Sequence, residues 1–262
     1  MGTASMPMPT PIAPLTMPAA RTMTAPASRN TNQAAGIVKG AMGVGMGMLA
    51  VPMLSLFVPP AQAIGLMVVP VLWSNVVQTI ERGSPIYSVK RFRWLIMSQL
   101  LSVVLTVRLT SSLSADQMNV MFACAILVSV LLMATRPNVR IAPRHETAAS
   151  VLAGITAGVM GGVSSLTSPV LITYLMALDL KREEFIGSIS VIYLFGSVFM
   201  YSAMIWYGRF GAFELLVSCA TVLPMLLGLA LGKKIRYRLS ETRFRALLLA
   251  FLTVLATVLL FK

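Results

Sequence analysis

None of the long apolar runs in this 262-residue chain has a carboxylate in its interior. The eight acidic residues, Glu81, Asp116, Glu146, Asp179, Glu183, Glu184, Glu214 and Glu241, all fall in connecting segments or at the ends of runs. Carboxylates at membrane depth are the usual mark of cation sites and proton relays. Their absence argues against a transporter of metals or a drug–proton exchanger, and it removes the paired carboxylates that membrane hydrolases need. Histidine is nearly missing as well: His145 stands alone between Arg144 and Glu146 in a basic loop and reads as solvated. The two cysteines, Cys124 and Cys219, sit singly in apolar segments, so neither a disulfide framework nor a metal motif is implied. No catalytic residue, no metal and no cofactor is expected, and the chain is not read as an enzyme.

Charge is scarce too. Charged residues make up 11% of the chain against 57% hydrophobic, whereas about a quarter of residues are charged in a typical soluble domain. The chain therefore reads as an all-α polytopic membrane protein of the cell membrane, multi-pass and most simply a bacterial cytoplasmic membrane. The formal net charge of +13 invites nucleic acid as a partner. The basic residues, however, lie in short loops between apolar runs, as the positive-inside rule expects, so no nucleic-acid partner is predicted.

Residues 1–33 are rich in Pro, Met, Ala and Thr and read as a disordered tail that is neither a secretory signal nor a myristoylation site. Eight apolar segments follow, at roughly 36–58, 61–80, 94–107, 117–135, 148–178, 185–207, 212–232 and 244–261. Most are near the ~20 residues a spanning helix requires. The third is short, and the fifth is long with Gly161, Gly162 and Pro169 in its interior. The first and fifth share a pattern: Gly36, Gly40, Met42 and Gly43 fall on Gly154, Gly158, Met160 and Gly161, and Pro52 falls on Pro169 after a slip of one. Ile64-Gly65 matches Ile186-Gly187, and Leu113-Ser114 matches Leu239-Ser240. The expected organisation is two related halves, residues 34–135 and 148–262, joined by a basic cytoplasmic linker at 136–147. Each half is a glycine-rich broken or re-entrant element followed by three transmembrane helices.

Charge distribution discriminates between topologies. Eight simple spans would divide the basic residues twelve to nine, which is no bias. If both glycine-rich elements are re-entrant, the loops 81–93, 136–147, 179–184 and 233–245 share one side with fifteen basic residues. Arg21, Arg29, Lys39, Arg108, Arg209 and Lys262 then lie on the other. That asymmetry predicts four cytoplasmic loops and an inverted repeat.

The polar residues left inside are small and neutral. The first element carries Gly43, Gly45 and Gly47, and the second Gly161, Gly162, Ser164, Ser165, Thr167 and Ser168. Later helices add Asn75, Gln78, Tyr193, Ser197 and Tyr201. Broken helices expose backbone N–H groups, and a half-helix N-terminus carries partial positive charge. Hydroxyls with such amides suit an anion that must bind and also leave. Gly43, Gly45, Gly47, Asn75, Gln78, Gly161, Gly162, Ser164, Ser165, Thr167, Tyr193 and Ser197 are the expected substrate-binding residues. The competing reading is that the glycines serve only close helix packing.

The stretch Gly40-x-x-Gly-x-Gly-x-Gly47 with Pro52-Met-Leu54 resembles the opening motif of the sulfite exporter family TauE/SafE. Its second copy looks like Gly154-x-x-x-Gly158-x-x-Gly161 followed by Pro169, Tyr174-Leu175 and Leu180-Lys-Arg-Glu-Glu-Phe185. The tail Gly228-Leu-Ala-Leu-Gly232 with its trailing basic residues also fits, so the resemblance covers residues 36–262. It implies a secondary transporter of a small anion, sulfite or an organosulfonate, with membrane lipids and a coupling ion as further partners. The alternative from another class is a non-transporting membrane scaffold or assembly factor whose basic loops dock a cytoplasmic partner.

Overall fold

A computed structural model describes residues 46–55, 57–82, 85–135 and 140–222, together with 249–250, 252–254 and 256–258. The described elements are α1 (Met46–Ser55), α2 (Pro60–Gly65), α3 (Val68–Arg82), α4 (Pro85–Arg91), α5 (Arg93–Thr110) and α6 (Ala115–Thr135). A 3-10 turn (Pro143–His145) leads into α7 (Glu146–Ser164), α8 (Ser168–Ala177), α9 (Arg182–Trp206) and α10 (Ala212–Ala220). No strand occurs among the described residues. Among the described residues, five helical stretches are long and apolar enough to cross a membrane: Pro60–Glu81, Arg93–Thr110, Asp116–Thr135, Pro143–Ser164 and Arg182–Trp206. The segment that read as short reaches spanning length by taking in Arg93 and Arg108 at its ends.

Local chemistry sets the helix starts. Ser114 and Gln117 cap α6 reciprocally, the Gln117 N–H donating to Ser114 Oγ at 3.3 Å and the Ser114 N–H to Gln117 Oε1 at 3.0 Å. Glu214 Oε2 accepts the Gly211 N–H at 2.9 Å ahead of α10. Glu146 opens α7, and Glu183 with Glu184 opens α9, where negative charge complements the helix dipole.

Helices α5 and α7 run parallel in unusually close contact, because α7 presents a glycine every fourth residue. A Cβ on Gly154 would lie 2.0 Å from Ser98 Oγ and 2.4 Å from the Leu95 carbonyl oxygen. On Gly158 it would lie 2.7 Å from the Gln99 carbonyl oxygen, and on Gly162 2.8 Å from Thr106 Cβ. Only hydrogen fits at these places. Ser102 Oγ completes the seam by donating to the Ile155 carbonyl at 2.9 Å. Helix α9 lies along the same pair, where a Cβ on Gly196 would meet Gln99 Nε2 at 2.5 Å. Helix α3 runs antiparallel to α9: Thr79 Oγ1 donates to the Ser190 carbonyl at 3.2 Å, while Asn75, one turn earlier, bonds to Ser197 further along.

Helices α7 and α8 form an antiparallel hairpin whose outer ends meet. The Ile141 N–H donates to the Ala177 carbonyl at 3.0 Å, Arg140 Nη2 lies 3.5 Å from Asp179 Oδ2, and Ser150 Oγ lies 2.6 Å from Tyr174 Oη. At the same end Arg91 Nε pairs with Glu146 Oε1 at 3.2 Å, and Ser88 Oγ donates to Ser188 Oγ at 3.3 Å. Three of the four basic loops, 81–93, 136–147 and 179–184, are thus tied together at one end of the bundle. The fourth, 233–245, lies outside the described residues, as do Lys39, Gly43 and Gly45.

Two expectations about the breaks need correction. In the long fifth segment the chain turns at Ser165–Thr167, not at the glycine pair. Gly161 and Gly162 stay helical and buried. Ser165 takes the left-handed conformation (φ 62°), its N–H donating to the Gly161 carbonyl at 2.8 Å, and so fills the place that usually falls to glycine at a helix C-terminus. In the first element Gly47 and Pro52 both lie within α1, whereas Pro169 occupies the first turn of α8. The two prolines do not sit alike.

Two outcomes follow. Gly154→Val and Gly158→Val each lower stability by about 1–3 kcal/mol or more, the usual range for overpacking, and reduce the melting midpoint in detergent; Val159→Ala on the exposed face of α7 leaves it nearly unchanged. An unshifted midpoint for both glycine variants would contradict the packing. Separately, cysteines placed at exposed Lys90 and Lys181, with Cys124 and Cys219 changed to serine, react with an impermeant maleimide from one and the same side of the membrane. Reaction of one from outside and of the other only after permeabilisation would overturn the arrangement of loops.

Candidate functional site

A buried polar stripe on α9 faces the break between α7 and α8. Tyr193, Ser197 and Tyr201 are spaced four residues apart, so they share one face of the helix, and all three are buried. Asn75 on α3 reaches this face: its Nδ2 donates to Ser197 Oγ at 3.1 Å and to the Tyr193 carbonyl at 3.4 Å. Ser197 Oγ passes its own proton to the Leu194 carbonyl at 3.1 Å. Three residues expected from sequence, Asn75, Tyr193 and Ser197, are thereby joined in one hydrogen-bonded unit.

The two tyrosine hydroxyls differ from their neighbours. Tyr193 Oη faces Ser168 and Tyr201 Oη faces Ser165, the residues at the two ends of the break. Each lies close to its serine, yet neither completes a well-formed hydrogen bond among the described residues. Buried hydroxyls left in that condition cost roughly 1–3 kcal/mol each, which a well-packed apolar face would avoid. Each belongs to a different apolar cluster, Tyr193 packing with Tyr174, Leu171 and Ile189, and Tyr201 with Leu166, Met200 and Met204. The stripe therefore lies where the two apolar cores adjoin.

The break itself supplies donors. Helix α8 begins at Ser168 with Pro169 in its first turn, and Thr167 before it provides no side-chain cap. The first intrahelical bond after the break is from the Leu171 N–H to the Thr167 carbonyl at 3.2 Å. The N–H groups of Ser168 and Val170 consequently have no intrahelical partner, and the positive end of the α8 dipole points at the tyrosine face. Two phenols, a serine hydroxyl and two backbone amides make a concentration of donors without a formal charge. Among the described residues, no cluster of three or more His, Cys, Asp or Glu could hold a metal ion.

The other expected residues take different positions. Ser164 is fully buried and spends its proton on the Met160 carbonyl at 2.8 Å. Gly162 is pressed against Thr106 of α5, and Gly161 against Thr167, so both are packing positions within α7. Ser165 and Thr167 form the break and are partly buried. Gln78 is partly buried one turn beyond Asn75 on α3, and Gly47 lies in α1. Ser168 and Tyr201 were named from sequence among the interior polar residues but not among the expected binding residues, and Gln99 was not named. For Tyr201 the signal was the repeat of four residues through Tyr193, Ser197 and Tyr201. For Gln99, buried between Gly158 and Gly196, the signal was an amide in the middle of an apolar run opposite glycines.

No curated protein and no solved structure matches the chain. The sequence model of one family does, "Sulfite exporter TauE/SafE", over residues 33–259. A match over nearly the whole chain, on a bundle with five helices fit to cross a membrane, establishes that this multi-pass protein belongs to the TauE/SafE family of membrane transporters.

Proposed function

We propose that the chain is a secondary transporter moving a small oxyanion, sulfite or an organosulfonate, across a bacterial cytoplasmic membrane. The anion binds at the break between α7 and α8, held by the Tyr193 and Tyr201 hydroxyls, Ser165, Ser168 and the first amides of α8. The observation that carries this reading is the pair of buried tyrosine hydroxyls that complete no well-formed hydrogen bond among the described residues, in front of an uncapped helix N-terminus. Neutral donors fit the task. They compensate a desolvated anion in a low-dielectric site, where hydrogen bonds to charge are worth about 1.5–3 kcal/mol each, yet no lysine or arginine there would trap it. Asn75 and Ser197 fix the stripe, and Gln78 lines the approach.

In this reading the α7–α8 hairpin is re-entrant. Its two ends meet among the basic loops, which supports entry and exit on one, cytoplasmic, face. The antiparallel course of α3 and α9, the second spans of the two halves, supports an inverted repeat whose halves rock about a central site. Flux is driven by the membrane potential or a coupled ion. A scaffold with basic docking loops would account for the charged end and the glycine seam. It gives no reason to leave tyrosine hydroxyls unsatisfied inside.

Reconstituted protein should show saturable sulfite flux under an imposed potential, suppressed by organosulfonates. Tyr193→Phe should raise KM about 10-fold or more, the loss of one hydrogen bond to a charged ligand, while its melting midpoint stays level or rises. Folded protein with no flux of any such anion in either direction would defeat the transport reading. Unchanged KM in both Tyr193→Phe and Tyr201→Phe would remove the stripe from the site.

A further inference from the structure

Arg209 stands at the far end of the bundle from the basic loops, in the turn between α9 and α10. Read from sequence it is one of six scattered basic residues on that side. In the fold it is 7% exposed. Its guanidinium donates from Nη2 to Thr110 Oγ1 and from Nη1 to Met118 Sδ at 3.3 Å, and its Nε has no partner among the described residues. Both acceptors are neutral. Thr110 Oγ1 in turn donates to the Thr106 carbonyl at 2.7 Å. None of the ion pairs among the described residues involves Arg209. Glu214, five residues on, spends its carboxylate on the Gly211 N–H.

A buried arginine without a counter-charge is costly, since removing a charge from water costs several kcal/mol unless something opposite repays it. Arginine does not escape by releasing its proton, although burial lowers its pKa from the usual value. The side chain is pinned instead, two of its nitrogens held by α5 and α6 while the third finds no acceptor among the described residues. Arg209 follows α9 by three residues, after Gly208 turns the chain in the left-handed conformation (φ 66°).

We propose that Arg209 is the core of a second oxyanion site, at the end of the bundle opposite the basic loops. Its guanidinium supplies the charge that the central stripe lacks, and it holds an oxyanion through the buried Nε–H that completes no hydrogen bond among the described residues. Two sources carry that chemistry, a soluble anion at the mouth of the pathway or the phosphate of a lipid headgroup. The site does not depend on the transport reading.

The test is thermal melting of the purified, delipidated full chain. Sulfite, sulfate and inorganic phosphate are added separately, and phosphatidylglycerol in a parallel arm. Wild type should gain about 2–4 °C with at least one soluble oxyanion or with the lipid, while Arg209→Gln should lose that increment. Tyr193→Phe keeps it, which separates this site from the central one. A shift with soluble anions places the site in the pathway, and a shift with phosphatidylglycerol alone assigns it to a headgroup. Arg209→Lys covers a glutamine variant that fails to fold: it preserves charge but not the fork, so its increment should fall at least severalfold at limiting anion. Equal increments in wild type, Arg209→Gln and Arg209→Lys, or no increment in wild type with any probe, would overturn the proposal.

Discussion

Lipid tails are as apolar as leucine, so burial of leucine does not by itself draw helices together in a membrane. What remains is close contact, and here it is concentrated where α7 meets α5 through Gly154, Gly158 and Gly162. The backbones come so near that a methyl group would collide with Ser98, Gln99 or Thr106. Everything else is placed from that seam. Helix α9 rests on Gln99 through Gly196, α3 lies across α9, and the end of α7 fixes where the chain breaks. Gly154, Gly158, Gly162 and Gly196 thus bring helices together, while the break is made three residues after the glycine pair by a serine in a left-handed conformation.

That arrangement leaves the polar groups with unequal partners. Ser164, Thr173 and Ser190 return their protons to the preceding turn of their own helices, a common way to silence a hydroxyl in a membrane helix. Tyr193 and Tyr201 cannot do so, because a phenol stands too far from its own backbone. Their hydroxyls project into the apolar interior toward the start of α8, where backbone donors are also unfilled. These hydroxyls can donate as well as accept, and together with the unfilled amides they are the basis of the proposed anion site.

Much of this was legible in the sequence, and the reasons are physical. Hydropathy and the lack of internal carboxylates marked a bundle of spans, because backbone satisfaction in lipid leaves helices as one of few solutions. The clustering of arginine and lysine foretold that the loops 81–93, 136–147 and 179–184 share an end, since charge cannot cross cheaply. Asn75, Tyr193 and Ser197 stood out because amides and hydroxyls are rare in such runs, and the fold joins them by hydrogen bonds. What failed was finer. Gly161 and Gly162 read as a break because glycine disfavours helix in water, but between packed helices that preference is overridden. Ser164 looked available because a sequence does not show which way a hydroxyl turns. Arg209 looked like an ordinary loop cation, since burial is decided by Thr110 and Met118 from elements about 90 residues or more away.

The central claim, that an oxyanion binds where Tyr193 and Tyr201 face the start of α8, is tested most directly by crystallography with selenite. Selenite has the shape and charge of sulfite and can be located by its anomalous scattering. The expected result is a peak at the Ser165–Ser168 break, about 2.7–3.2 Å from a tyrosine Oη or a first-turn amide of α8, weakened in the Tyr193→Phe protein. An occupied site elsewhere in the bundle, with the break empty at saturating selenite, would contradict it.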